Sequence, residues 1–172
     1  MTPADHAAHD YRAHVISVTD YLYFVDDALD EMVEIVRELG DELANRRPDV
    51  PGSSTPFALL THCLGVMECW GGELVAGRTI ERDRDAEFVA AGRVDELARR
   101  VDVARSRLHQ DVMLLAPDAA LRNPPDPEDA DLPFGRRQGA ALVHLYRELT
   151  QHLGQMQGYR DVMTADWAVL TP

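Results

Sequence analysis

The sequence predicts an all-α protein, a four-helix bundle with long connections between some of its helices. Apolar residues recur at three- and four-residue steps over long stretches. Helix stop signals separate those stretches. No segment shows the sustained alternation of a convincing strand. Four long helices without strands bury their apolar stripes most simply against one another. The 172 residues fit a single domain, here taken as 1–172, with length enough for a substantial core.

The first helix is expected over residues 15–47, where Tyr21, Leu22, Val25, Leu29, Met32, Val36 and Leu39 mark one face. Pro48, Pro51 and Gly52 end it. The second opens with Ser54 or Thr55 as cap and Pro56 at the first helical position. Its stripe is Leu59, Cys63, Val66, Met67, Trp70 and Leu74, and Gly77 stops it after residue 76. A charged connector follows, RTIERDRDAEFVAAGR, whose simplest reading is a solvated loop, although it could also border a cleft. The third helix spans 94–115 and closes before Pro117. Residues 118–133, with several prolines and acids, read as loop. The fourth helix covers 137–163, with Leu142, Leu145, Leu149, Leu153 and Met156 as its stripe, and the tail TADWAVLTP has no clear assignment. Connections this long in a compact domain are often functional or permit packing between non-consecutive helices.

Composition narrows the function. Thirty acidic against 17 basic side chains give a net charge of −13, which disfavours nucleic acid and anionic membrane surfaces as partners. The start, MTPADHAAHDYRAH, lacks the apolar core of a signal peptide, and no run has the length of a membrane-spanning helix. A cytoplasmic location is the expectation. Cys63 and Cys69 are six apart on one helix, about 120° around the cylinder and unsuited to a disulfide. A reducing compartment agrees with that.

Glu148 and His152 are four apart on the last helix, so they share a face one turn from each other. At about 100° per residue His152 falls inside the apolar stripe and Glu148 at its edge. His62, on the second helix, lies about 60° from that helix's stripe, also at an inward margin. Two nitrogens and a carboxylate oxygen suit zinc, nickel or iron(II) and leave coordination positions open. The alternative is a glutamate reaching water at the bundle edge and two hydrogen-bonded core histidines. His144, one turn before Glu148, points about 80° away from His152, which suits a solvated or outer-shell role. Gln155 lies beside Glu148 and could hydrogen-bond a ligand or simply face solvent. Trp70 and Cys69 read as packing residues.

The segments FALLTHCLGVMECWGGELV (57–75), GRTIERDRDAEF and LVHLYRELTQHLGQMQGYRDVM resemble the second helix, following loop and last helix of the DinB-like superfamily. They resemble in particular its branch of mycothiol-dependent maleylpyruvate isomerases and mycothiol S-transferases. Members are four-helix bundles holding a divalent metal, commonly zinc or nickel, with three side chains. The resemblance places those ligands at His62, Glu148 and His152. Many relatives use His-x-x-x-His on the last helix, whereas the mycothiol branch uses the Glu-x-x-x-His found here. His152-Leu153-Gly154-Gln155 is similar to a His-Arg-Gly-Gln signature, from which Leu153 departs.

The expected function is therefore a metal-dependent transferase. It would activate a low-molecular-weight thiol, by resemblance mycothiol, for attack on a small electrophile. Zinc is the first expectation for the cation, with nickel or iron as alternatives. A metal-dependent hydrolase would use the same open ion to acidify water. A non-catalytic metal-binding or interaction bundle is the third reading. A homodimer is plausible because related bundles often pair.

Overall fold

A computed structural model describes residues 16–170. They form four long helices and one short one: α1 (Val18–Ala44), α2 (Pro56–Val66), α3 (Arg84–Glu87), α4 (Val94–Asp111) and α5 (Gln138–Leu170). A π-helical segment, Met67–Val75, continues α2. No strand occurs among the described residues. The amino-terminal reading concerning a signal peptide falls on residues outside them.

The starts of α1 and α2 follow from local chemistry. The Ser17 hydroxyl accepts the Asp20 amide at 3.0 Å to open α1, and Thr55 accepts that of Ala58 at 3.0 Å to open α2. Near the end of α1, Gly40 breaks the helix with φ 65° and ψ 176°. The chain resumes a turn that closes at Ala44, three residues before the expected end. That last turn anchors α4: Asp41 accepts the Val94 amide at 2.8 Å, and Asn45 exchanges hydrogen bonds with the Gly92 backbone.

The π segment departs from the plain α-helix expected through residue 76. Its wider turn is visible in the bond from the Ala76 amide to the Gly71 carbonyl at 3.0 Å. Two adjacent glycines make room for what packs there. A Cβ on Gly71 would overlap Leu108 of α4, and one on Gly72 would overlap the Arg78 guanidinium. Gly77, at φ 81°, then turns the chain away, as its position in the sequence predicted.

Helix α1 packs beside α5 and α4, while α2 and its π segment pack against α5 and α4. Thus α4 and α5 lie across the bundle from each other, and the connection between them spans the diagonal. It is not a free loop. Gln138 binds the Ala116 amide and the Ala120 carbonyl, and Asn123 bonds the carbonyls of Glu73 and Arg78. All the apolar positions assigned to the α2 and α5 stripes are buried or packed on the core. Helix α2 is apolar nearly all round, from Phe57 to Leu64, and occupies the middle of the molecule.

Candidate metal centre

His62 is a polar side chain on that buried helix, only 3 % exposed. Such a group needs a partner. It has one: Nδ1 lies 2.8 Å from Glu87 Oε2. A carboxylate oxygen accepts, so Nδ1–H donates, and in the neutral ring the lone pair is on Nε2. Burial holds the His62 pKa below the usual imidazole value, against the opposing pull of Glu87. One face of the ring stacks on Phe88 at 4.4 Å between centroids.

Glu148 and His152 approach from α5. His152 Nε2 lies 4.0 Å from Glu148 Oε2. The other ring nitrogen, Nδ1, pairs with Gln155 Oε1 at 3.2 Å, and Gln155 in turn bonds the Tyr159 hydroxyl at 2.6 Å. The rings of His62 and His152 meet edge to face at 5.0 Å. One donor atom from each of His62, Glu148 and His152 lies within 4.8 Å of the others. Both imidazoles therefore have Nδ1 occupied by a protein acceptor, which leaves Nε2 as the nitrogen available to a ligand.

The donor set fits a divalent cation. Zinc is usually tetrahedral, with its nitrogen and oxygen donors about 2.0–2.1 Å from the ion. Three tetrahedral donors at that distance stand about 3.3–3.4 Å apart, so atoms within 4.8 Å of one another reach the ion by closing on the order of an ångström. Backing of each imidazole by a hydrogen-bond acceptor is what ligating histidines usually have. Two nitrogens and one oxygen leave at least one coordination position for a small molecule.

Beside this group stands an aromatic wall. His144 stacks on Phe134 at 4.0 Å, and Trp70 meets both rings edge-on. His144 Nε2 is 3.9 Å from Glu148 Oε1, on the side of the carboxylate away from the His152 contact. The solvated reading of His144 is corrected: the aromatic rings bury it to 14 % side-chain exposure, and its Nδ1 has no hydrogen-bond partner. Its pKa is lowered, chiefly by burial.

Neither cysteine competes as a reactive group. Burial pushes the Cys63 thiol far up, with Glu148 and Glu87 adding to the effect. Cys69 is also raised by burial, which outweighs the nearby Arg82. A thiol kept protonated is a poor nucleophile.

Sequence reasoning brought His62, Glu148 and His152 together and missed what supports them. Glu87 was read as part of a solvated loop, yet it is 8 % exposed because α3, capped by Asp83, turns it inward. The available signal was Phe88 with Val89 and Ala90, an apolar patch in a charged run. Gln155 is a partner of His152, not merely a surface amide.

A family model for mycothiol S-transferases matches residues 20–165. The chain belongs to the mycothiol S-transferase family. The match covers every residue of the candidate centre, including Glu87, Gln155 and the aromatic wall. Comparison with curated proteins finds no significant match for this family member. Among the described residues no helix is long and apolar enough to cross a membrane.

Proposed function

We propose that this member of the family is a metal-dependent thiol S-transferase, with His62, Glu148 and His152 as the three ligands of one divalent cation, zinc first among the candidates. The observation that carries the reading is the convergence of one donor atom from each of His62, Glu148 and His152, brought from two helices to within 4.8 Å of one another. Family membership supports the thiol, and mycothiol is the natural candidate. When bound, the cation would lower the pKa of a small thiol and make thiolate available near neutral pH.

The chain's own residues have distinct tasks in this reaction. The Nδ1 protons of His62 and His152 are engaged by Glu87 and Gln155, so neither imidazole is free to shuttle a proton. Both rings present a fixed lone pair instead. Glu148 contributes a negative charge and leaves the centre with about one positive charge less than three histidines would. Trp70, Phe134 and His144 offer an apolar wall that suits a small apolar electrophile and helps keep water away. The thiolate sulfur would form a bond to the electrophilic carbon as that carbon's bond to its leaving group breaks; the leaving group departs with the electron pair, and the thiol proton goes to solvent.

The test is consumption of an electrophile panel by zinc-loaded protein, with and without added mycothiol. Turnover that requires the thiol and is lost in His62→Ala, Glu148→Ala and His152→Ala is the expected result. Ester or amide hydrolysis without thiol would replace this reading by a hydrolase. Stoichiometric metal with no turnover of either kind would leave a binding module.

A further inference from the structure

Behind His62, on the side away from the shared donor space, the structure has an arrangement that the ligand set alone does not call for. Glu87 is gripped twice. Arg82 forks onto its carboxylate, Nε to Oε1 at 2.7 Å and Nη2 to Oε2 at 2.9 Å. Oε2 also receives the His62 Nδ1–H at 2.8 Å. The next residue, Phe88, stacks on the same imidazole. The single helical turn α3 thus holds His62 both in the plane of the ring and on its face.

The carboxylate reaches this position because α2 has no side chain in its way. A Cβ built on Gly65 would overlap Glu87 Oε1 and stand 3.0 Å from Oε2. An unpinned glutamate could swing aside, but this one would have to give up bonds to both Arg82 and His62. Gly65 lies in a regular helical stretch, where the residue type costs stability relative to alanine. Close approach of Glu87 is the physical reason for it.

We propose that Glu87 is a positioning residue for the metal ligand His62, and that Gly65 exists to admit it. Glu87 fixes the ring as the Nδ1–H tautomer, aims Nε2 at the donors on α5, and makes that nitrogen a better donor. The two histidines are then unequal: a charged acceptor clamped by arginine backs His62, and a neutral amide backs His152. This inference rests on the ligand assignment of the proposed function, but its first test needs no metal and no turnover.

That test is the tautomeric state of His62 in metal-free protein, read from long-range proton–nitrogen correlation spectra. Wild type is expected as the Nδ1–H form. Glu87→Ala is expected to lose that preference, and Glu87→Gln, which keeps an acceptor oxygen, to retain it in part. A wild-type Nε2–H tautomer, or no change in Glu87→Ala, overturns the proposal.

The second measurement is zinc affinity by chelator competition. Glu87→Ala is expected to weaken binding by about 10–100-fold, the range for groups that orient a ligand. Gly65→Ala removes no polar atom and should weaken it comparably, while the double variant should be no weaker than Glu87→Ala alone. Wild-type affinity in Gly65→Ala, or additive losses in the double variant, would contradict the assignment. Should Gly65→Ala fail to fold, Glu87→Asp serves in its place: a carboxylate one methylene shorter is expected to fall with Glu87→Ala, and wild-type affinity there would contradict the reach argument. If the tautomer and affinity results hold while thiol-dependent turnover is absent, the positioning role stands and only the transferase reading fails.

Discussion

His152 and Tyr21 show how much a single side chain's surroundings decide. His152 is oriented by Gln155, which is itself held by Tyr159. Gln155→Ala should weaken zinc binding by about tenfold, the low end for an orienting partner, since the lost acceptor is neutral. Chelator competition on the purified variant checks this. Tyr21 donates its hydroxyl proton to the Leu142 carbonyl at 3.0 Å, joining α1 to α5. Burial pushes the Tyr21 pKa far up from the ordinary value. With the folded pKa raised, the folded state binds more protons than the unfolded chain above about pH 10. The contribution is therefore present below that pH and is lost as pH rises toward the folded pKa. The sequence contains no lysine, so fewer other groups titrate in this range. Denaturant midpoints should fall more steeply above about pH 10 in wild type than in Tyr21→Phe. Equal slopes would mean the phenol is not buried in the folded state.

At the scale of elements, the strongly periodic segments were legible and the irregular ones were not. Helix α2 announced itself through Thr55, Pro56 and its apolar run, and α5 through a stripe from Leu142 to Met156. Periodicity placed His152 within its stripe and Glu148 and His62 at inward margins, and the family resemblance joined the three into one ligand set. The π segment could not be read from periodicity: Leu108, which occupies the space over Gly71, comes from distant sequence, and Arg78 reaches Gly72 only after the chain has turned at Gly77. Helix α3 was hidden for a related reason. A single turn has too few residues for a period, and the burial of Glu87 comes from Arg82 and His62. The break at Gly40 has a local cause that propensity understates. Its φ of 65° and ψ of 176° belong to a region that is essentially glycine's alone. Gly40→Ala should therefore destabilise the protein by about 1–3 kcal/mol even though an added Cβ would meet no neighbour. Chemical denaturation measures it; an unchanged or raised midpoint would show that α1 can straighten at this point.

Across the whole molecule, the packing order explains why the centre forms where it does. With α4 and α5 across from each other, α2 is flanked by both, and its buried His62 faces α5. The core beneath is continuous, including the fully buried Leu145 and Leu149 on either side of the Glu148 turn. Leu149→Ala should cost about 2–5 kcal/mol and loosen the last helix. Ligation of an ion by His62, Glu148 and His152 would also link the two helices and stabilise the fold by mass action. Zinc at about 100 times its dissociation constant should add about 2.7 kcal/mol of stability in wild type and nothing in Glu148→Ala.

The most direct measurement is calorimetric titration of zinc into metal-free wild type and into His62→Ala, Glu148→Ala and His152→Ala. One equivalent per chain for wild type, with saturable binding lost in each variant, is the expected result. A wild type that takes up no ion, or variants that bind as well as it does, would contradict the three-residue centre and the thiol chemistry built on it.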